Sequence, residues 1–444
     1  MNVNVKLKQS LLLFGDALIL YASLALTLFL RYGQLSDSVI EIHLVPFTVV
    51  FAIWLVTFYI GGLYDLPSLK NDLRFSKKFV SLIAASGIIA ILLFYFIPAF
   101  GITPKTNLFI VLALLFLGGY AWRIFCNNLL SAGAPTSRIL MVGYNKTVED
   151  LVSRIQQNPQ LGYEVSFWMK EGLQDKELDH LSQIILHNKI NLIVIPAHIK
   201  KNSKAARLIY KNLLLGIEVL DLAALYENIF KKLPLAELEE VWFLENLTKK
   251  HKIYELFKEP IEIFLAIILG LILLPIGLLI AVLVATTSRG PIIYRQKRSG
   301  LTGTEFMIYK FRTMKTDAER KGPQWSGPND QRITAFGKIL RKSHLDELPQ
   351  IINVIRGDLS FVGPRPERPE FVNQIKNDVP YFELRLLARP GITGWAQINY
   401  KYGASVEDAY EKLQYDLYYL KNRSLILDFL ILLRTIKYLF TNTQ

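Results

Sequence analysis

The sequence predicts a membrane protein in three parts: a four-helix transmembrane bundle, a doubly wound α/β domain, and a re-entrant membrane helix leading into a mainly helical cytoplasmic domain. Three observations predict it. Apolar residues make up 51% of the 444-residue chain and fall in clusters near 20 residues long. Between residues 138 and 222, short apolar strands alternate with polar helical stretches, the pattern of a parallel sheet covered by helices. From Arg289 onward, motifs rich in Gly, Pro, Arg and carboxylates replace both patterns. The expected boundaries are 1–130, 136–248 and 249–444, with the re-entrant helix at about 258–286.

Four apolar runs open the chain: Leu11–Leu30, Leu44–Tyr64, Phe79–Phe100 and Leu108–Cys126. Each approaches the roughly 20 residues that cross a hydrocarbon core. The first run is longer than a signal-peptide core and lacks a small-x-small cleavage site, so it reads as a retained anchor. The loop after the second run carries Lys70, Arg74, Lys77 and Lys78, whereas the opposite connections carry Arg31, Asp37, Glu41 and Lys105. Excess Lys and Arg mark the cytoplasmic side, which places both ends of the bundle there. Asp16, costly in lipid, is expected to serve helix–helix packing.

Arg138–Gly143 reads as a buried strand ending in a glycine turn, followed by strands at Tyr163–Trp168, Asn191–Ala197 and Gly216–Leu222. No G-x-G-x-x-G follows the first strand, which leaves a dinucleotide site unsupported. Tyr254 and Lys258 form a Tyr-x-x-x-Lys pattern in a basic stretch and read as a chance pairing.

The run Ile261–Ala285 is long enough to span, but cations flank both of its ends: Lys249, Lys250, Lys252 and Lys258 before it, Arg289, Arg295, Lys297 and Arg298 after it. A span would put one cluster outside. Pro275 near its middle removes a helix hydrogen bond, so the expectation is a helix broken there that enters and leaves on one side; a kinked span is the alternative. Ser424–Phe440, apolar but carrying Asp428, Arg434 and Lys437, suits either the core or the membrane interface.

Formal net charge is +13, which fits anionic lipid or phosphorylated substrates better than nucleic acid in a membrane-tied protein. The single cysteine, Cys126, excludes a disulfide framework or a Cys-based metal site. The chemically dense stretch is Ser343–Pro366. Ser343 is read as an N-cap with Asp346 in capping-box spacing, Pro349 near the helix start, Ile351, Ile352, Val354 and Ile355 as a buried face, and Gly357 as the stop. Asp346 and Glu347 are then expected at a helix N-terminus, whose partial positive charge favours carboxylates and attracts phosphate oxygens. First-turn carboxylates are commonly mere caps. Lys310, Arg312, Arg341, Arg356 and Arg365 nearby point instead to metal-assisted phosphoryl transfer, with Arg365 constrained between Pro364 and Pro366.

From about Lys258 to the C-terminus the chain resembles the bacterial polyprenyl-phosphate sugar-1-phosphate transferases. The motifs are Tyr309-Lys-Phe-Arg-Thr-Met314, Leu345-Asp-Glu-Leu-Pro-Gln350, Gly357-Asp-Leu-Ser-Phe-Val-Gly-Pro-Arg-Pro366 and Arg389-Pro-Gly-Ile-Thr-Gly-Trp-Ala-Gln397. Four spans and a middle Rossmann-like (CoA- or NAD-binding-like) domain resemble its large members, and the tail from Tyr402 to Tyr419 its exopolysaccharide-associated ones. The resemblance implies transfer of a sugar-1-phosphate from a UDP-sugar to undecaprenyl phosphate at the cytoplasmic face of the bacterial inner membrane, with release of UMP. It implies Asp346 as nucleophile, Glu347 as its assistant through Mg2+ or as a proton acceptor, and Arg365 on a substrate phosphate. Lys310, Arg312, Arg341, Arg356, Pro364, Pro366 and Arg389 would line the site, with Asp346 and Glu347 as candidate metal ligands and a homodimer as a plausible assembly. Small members often carry Ser before the helix-breaking proline; here it is Leu274. Sugar specificity is expected in loops such as Thr316–Arg332. Rival readings are a membrane-anchored NAD-dependent dehydratase or epimerase and a non-catalytic assembly scaffold.

Overall fold

The structure is a computed structural model that describes residues 3–65, 70–97, 100, 105–132, 137–170, 180–197, 203–247, 252–318, 330–400, 403 and 405–441. The chain divides into two compact units, Met1–Ile229 and Phe230–Gln444. The first begins with four long helices: α1 (Val3–Tyr32), α2 (Asp37–Ile60), α3 (Leu73–Phe96) and α4 (Lys105–Ala132). All four contain stretches long and apolar enough to cross a membrane. α1 packs on α2 and α4, and α3 packs on the same two helices. Their shared interior is aromatic, with Phe47, Phe51, Trp54, Phe58 and Phe79 buried. Its buried carboxylate is paired. Asp16 is bonded by Arg123 and, at 2.8 Å, by the Tyr64 hydroxyl, so the intramembrane carboxylate does serve packing between helices.

A four-stranded parallel sheet follows: β1 (Ser137–Val142), β2 (Tyr163–Met169), β3 (Leu192–Ile195) and β4 (Glu218–Asp221), in spatial order β2-β1-β3-β4. The strands fall where the apolar runs predict them. Between them lie α5 (Lys146–Gln157), α6 (Leu181–His187) and α7 (Ser203–Asn212). Leu140, Val142, Ile193 and Ile195 from the sheet meet Leu181, Ile185 and Ile209 from α6 and α7 in one core. α8 (Leu222–Phe230) closes this part of the chain.

The second unit begins with α9 (Glu240–Leu247), then α10 (Lys252–Thr287), which runs unbroken through Pro260 and Pro275. The expected interruption at Pro275 is therefore absent from the helix; the proline only removes one N–H from it. One stripe of α10 lies along the domain that follows. Ala266 packs with Ile308, Val354 and Leu359, and Ile280 and Val284 pack with Phe311 and Leu340. Most of the rest of α10 is exposed and apolar, including Leu271, Ile272, Leu278 and Leu279.

The hairpin β5 (Ile293–Ser299) and β6 (Glu305–Phe311) leads to α11 (Ala335–Lys342) and α12 (Ile351–Ile355). β7 (Ser360–Val362) then pairs in parallel with β8 (Gly391–Thr393), with α13 (Pro369–Asp378) between them. The chain ends in α14 (Trp395–Asn399), α15 (Val406–Asn422) and α16 (Leu425–Thr441). α16 packs one side into the core: Asp428 and Ile431 are buried while Ile426 and Phe429 are exposed. The specificity loop anticipated at Thr316–Arg332 falls largely outside the described residues.

Candidate active site

The two carboxylates reach their position by a different local route from the expected one. Ser343 is not an N-cap. It ends α11, and its hydroxyl donates back to the carbonyls of Ile339 and Leu340. His344 then takes a left-handed conformation, φ 55°, which is uncommon outside glycine and turns the chain sharply. Leu345–Gln350 forms a 3-10 turn containing Pro349, and only then does α12 begin. Asp346 and Glu347 thus lie in the first turn of a tight 3-10 segment, with no side-chain capping bond from Ser343. Gly357, φ 79°, ends the helix as expected. On α12 Val354 is buried, whereas Ile352 and Ile355 are exposed; the helix is too short to bury all four apolar side chains.

Lys310 on β6 reaches Glu347, with Nζ 2.6 Å from Oε1, and Arg365 Nη2 approaches the same oxygen at 3.1 Å. Burial alone would raise the Glu347 pKa, but Lys310 and Arg365 together outweigh it and hold the carboxyl well below the usual range. Asp346 shifts the other way. Burial pushes it up, the neighbouring Glu347 adds to this, and Lys310, Arg341 and His344 oppose it. Asp346 is 7% exposed, and among the described residues none hydrogen-bonds its carboxylate. The site therefore holds one carboxylate locked in ion pairs beside one that is shielded but unengaged.

The other expected residues divide. Arg341 lies within electrostatic reach of Asp346 and donates from Nε to Thr313 Oγ1 at 2.9 Å. Arg312 does not line the site. It is buried at the C-terminal end of α10, donating to the carbonyls of Ser288 and Pro291 and to the Ser288 hydroxyl; a guanidinium there satisfies carbonyls of the turn that follows the helix. Arg356 donates to the Tyr309 hydroxyl at 2.7 Å, and its guanidinium lies 5.3 Å from that ring's centre. Arg389 pairs with Glu259 of α10 at 3.3 Å. Pro364 and Pro366 contribute through their carbonyls, which accept from the Gly391 N–H at 2.9 Å and from Arg298 at 3.1 Å.

The Tyr254–Lys258 pair is an anchor. Lys258 Nζ bonds the Tyr254 hydroxyl at 2.7 Å, the Tyr419 hydroxyl at 3.0 Å, the Val362 carbonyl at 2.8 Å and Asp428 at 2.8 Å. One helical turn later, Glu262 accepts from the Ser360 hydroxyl at 2.7 Å and the Phe361 N–H at 3.1 Å. α10 therefore grips β7, the strand that feeds Pro364-Arg365-Pro366.

Sequence reasoning missed Arg298, Glu367, Arg385 and Asp416, which lie behind that segment. Arg385 Nη2 is 2.9 Å from Asp416 and donates to the Arg365 carbonyl at 2.8 Å. One signal was available: Asp416 falls on the buried stripe of α15 with Ala409, Leu413 and Leu420, and a charge on an apolar stripe implies a buried partner. Nothing in the Glu383–Leu387 segment marks Arg385.

Among the described residues no three His, Cys, Asp or Glu side chains group to hold a metal. Asp346 and Glu347 still fit a magnesium ion chemically, because that ion takes one or two carboxylates and completes its shell with substrate phosphates and water.

Comparison with known proteins identifies relatives of this chain. The bacterial sugar transferase family matches residues 253–442. A UDP-glucose:undecaprenyl-phosphate glucose-1-phosphate transferase of Xanthomonas campestris pv. campestris is 30% identical over 336 residues, 70% of this chain and 68% of that protein. One of the same name from Klebsiella pneumoniae is 28% identical over 460 residues, 98% of this chain and 96% of that one. A UDP-N-acetylgalactosamine-undecaprenyl-phosphate N-acetylgalactosaminephosphotransferase of Aeromonas hydrophila is 42% identical over 189 residues, 43% of this chain and 45% of that one. The four ordered motifs and these similarities agree: the chain belongs to the bacterial sugar transferase family, the polyprenyl-phosphate sugar-1-phosphate transferases.

Proposed function

We propose that this protein transfers a sugar-1-phosphate from a UDP-sugar to undecaprenyl phosphate at the cytoplasmic face of the bacterial inner membrane, a step that would begin exopolysaccharide, capsule or O-antigen assembly. The observation that carries the proposal is the pairing of an unengaged, shielded Asp346 with a Glu347 held ionised by Lys310 and Arg365. In the first step an Asp346 carboxylate oxygen attacks the sugar-bearing phosphorus. The bond to the uridine phosphate breaks, UMP leaves with its electron pair, and the phosphosugar stays on Asp346 as an acyl phosphate. In the second step a phosphate oxygen of undecaprenyl phosphate attacks the same phosphorus, the Asp346–phosphorus bond breaks, and the carboxylate returns.

The raised pKa of Asp346 marks a more basic, less solvated nucleophile. Lys310, Arg341 and Arg365 are placed to neutralise charge that builds on the phosphoryl oxygens. Glu347 suits a proton acceptor poorly, since a carboxyl held far below the working pH has little tendency to take a proton. Its depressed pKa supports the alternative, orienting the two cations and helping to hold magnesium. Magnesium, held by Asp346 or Glu347 together with diphosphate oxygens, would supply Lewis-acid charge neutralisation.

α10, continuous through Pro275, is read as re-entrant in the bilayer, which requires a bend that the proline there would permit. A straight span would leave its two ends on opposite sides of the bilayer, whereas Lys258 near one end and Val284 near the other pack on the same domain. The exposed apolar residues of α10 would then lie in one leaflet, with the reacting carboxylates close to the lipid phosphate's depth.

The test is UMP release from a panel of UDP-sugars, including UDP-glucose and UDP-N-acetylgalactosamine, with undecaprenyl phosphate and magnesium. Asp346→Asn is expected to lose turnover by a factor of about a thousand or more, as removal of a nucleophile does. An Asn variant that turns over normally would mean the attacking group is not Asp346.

A further inference from the structure

Arg365 is useful only if its guanidinium stays fixed, and the segment that carries it cannot be fixed in the usual way. Two of the three residues in Pro364-Arg365-Pro366 lack an N–H. The structure holds the segment by its carbonyls instead, one donor to each. Pro364 accepts from the Gly391 N–H at 2.9 Å, Arg365 from Arg385 Nη2 at 2.8 Å and Pro366 from Arg298 Nη1 at 3.1 Å. The next carbonyl, Glu367, accepts from the Ser299 N–H at 2.9 Å. Two of the four donors are backbone amides and two are arginine side chains.

Arg385 has the stricter surroundings. It is 6% exposed and Asp416 is 1% exposed. Arg385 Nη2 donates to the Arg365 carbonyl and stands 2.9 Å from Asp416 on α15 as an ion pair, while Nη1 faces Glu367 at 4.0 Å. A buried ion pair of this kind costs desolvation and is weak evidence for stability by itself. Here it aims a donor at the main chain of the residue whose side chain reaches Glu347.

We infer that Arg385, oriented by Asp416, is a positioning residue that fixes the Arg365 guanidinium for binding the diphosphate of the nucleotide substrate. The inference rests on the function proposed above for Arg365. It predicts that Arg385 acts through Arg365, so that losing both costs no more than losing Arg365.

A double-mutant cycle tests this. Arg365→Ala, Arg385→Lys and the double variant are made in the full-length chain, and two quantities are measured: binding of UDP by calorimetry, and KM and kcat for UMP release from whichever UDP-sugar the wild type uses. Lysine keeps a charge for Asp416 but has no planar fork to serve the carbonyl as well. Arg365→Ala and Arg385→Lys are each expected to weaken UDP binding by about ten- to a hundred-fold, the loss of a charged hydrogen bond, and to raise KM for the UDP-sugar. The double variant is expected to match Arg365→Ala. Arg385→Lys binding UDP like the wild type would overturn the inference, as would multiplying effects in the double variant, which would reveal a purely structural role. UDP binding that ignores Arg365→Ala would overturn it too. A wild type that binds UDP but releases no UMP from any UDP-sugar counts against the proposed function alone, and the binding cycle still decides this inference.

Discussion

At the scale of single residues, the site separates two neighbouring carboxyls by their surroundings. Glu347 is pinned by Lys310 and Arg365, and Asp346 is shielded without a bond. Replacing Lys310 by Met should release Glu347 upward in pKa and remove a cation from the phosphoryl transfer. UMP release is expected to fall about ten- to a hundred-fold, the scale of a lost charged hydrogen bond, and the acid limb of the pH–rate profile should move to higher pH. Asp416 makes a second pH prediction. Burial pushes its carboxyl up to about 6, against the pull of Arg385, with Glu367 raising it and Lys412 lowering it. As pH falls through about 6 the carboxylate takes a proton and Arg385 loses its counter-ion, so turnover should decline on that side. Asp416→Asn should remove this limb and lower the plateau. Stability responds in the opposite sense: because the folded pKa is raised, Asp416's contribution is fully present below the ordinary carboxylate range and is lost as pH rises through about 6. Thermal unfolding of wild type and Asp416→Asn across that window reads this directly.

Among the elements, the parallel pair β7–β8 is the hub, since it carries the Arg365 segment on one strand and receives α10's grip through Glu262 and Lys258. Its closeness depends on missing side chains. A Cβ on Gly391 would stand 2.0 Å from the Gly363 backbone nitrogen, and backbone cannot yield as a flexible side chain can. Gly391→Ala is therefore expected to force the strands apart, costing about 1–3 kcal/mol or more of stability and displacing Arg365. A lowered melting temperature in detergent together with reduced UMP release would show it; an unchanged melting temperature would mean the strands can separate freely. The motif glycines were legible in the sequence, but their partners were not, because Gly363 and Gly391 are 28 positions apart and only folding places them together. The capping expectation at Ser343 failed for a related reason. Capping-box spacing describes a helix start, and the same residues also fit a helix end followed by a left-handed turn at His344. Propensity does not separate the two without knowing where α11 lies.

For the whole molecule, the topology can be checked independently of chemistry. With both halves of α10 on one domain and cations at both of its ends, a tag at the C-terminus should react with a membrane-impermeant reagent only after the cytoplasmic side is opened. Labelling from outside would mean that α10 spans. The sequence by itself determined the classes of segment and their order: four apolar helices, the strands of a parallel sheet, a long apolar helix flanked by cations, and a motif-bearing domain. Those features are written in local composition and period, which need no knowledge of distant contacts. It also held the carboxylate pair proposed to react, since Asp346 and Glu347 are adjacent in the chain. Tertiary structure decided what each charge does. It spent Arg312 on a helix end and Arg389 on Glu259, joined Lys310 to Glu347, turned Tyr254 and Lys258 into an anchor, and set Arg385 and Asp416 behind Arg365. An ionised side chain looks the same in sequence whether it meets substrate, a carbonyl or a counter-charge; which of these it meets is set by the packing that places its partner, and that partner is usually far away along the chain.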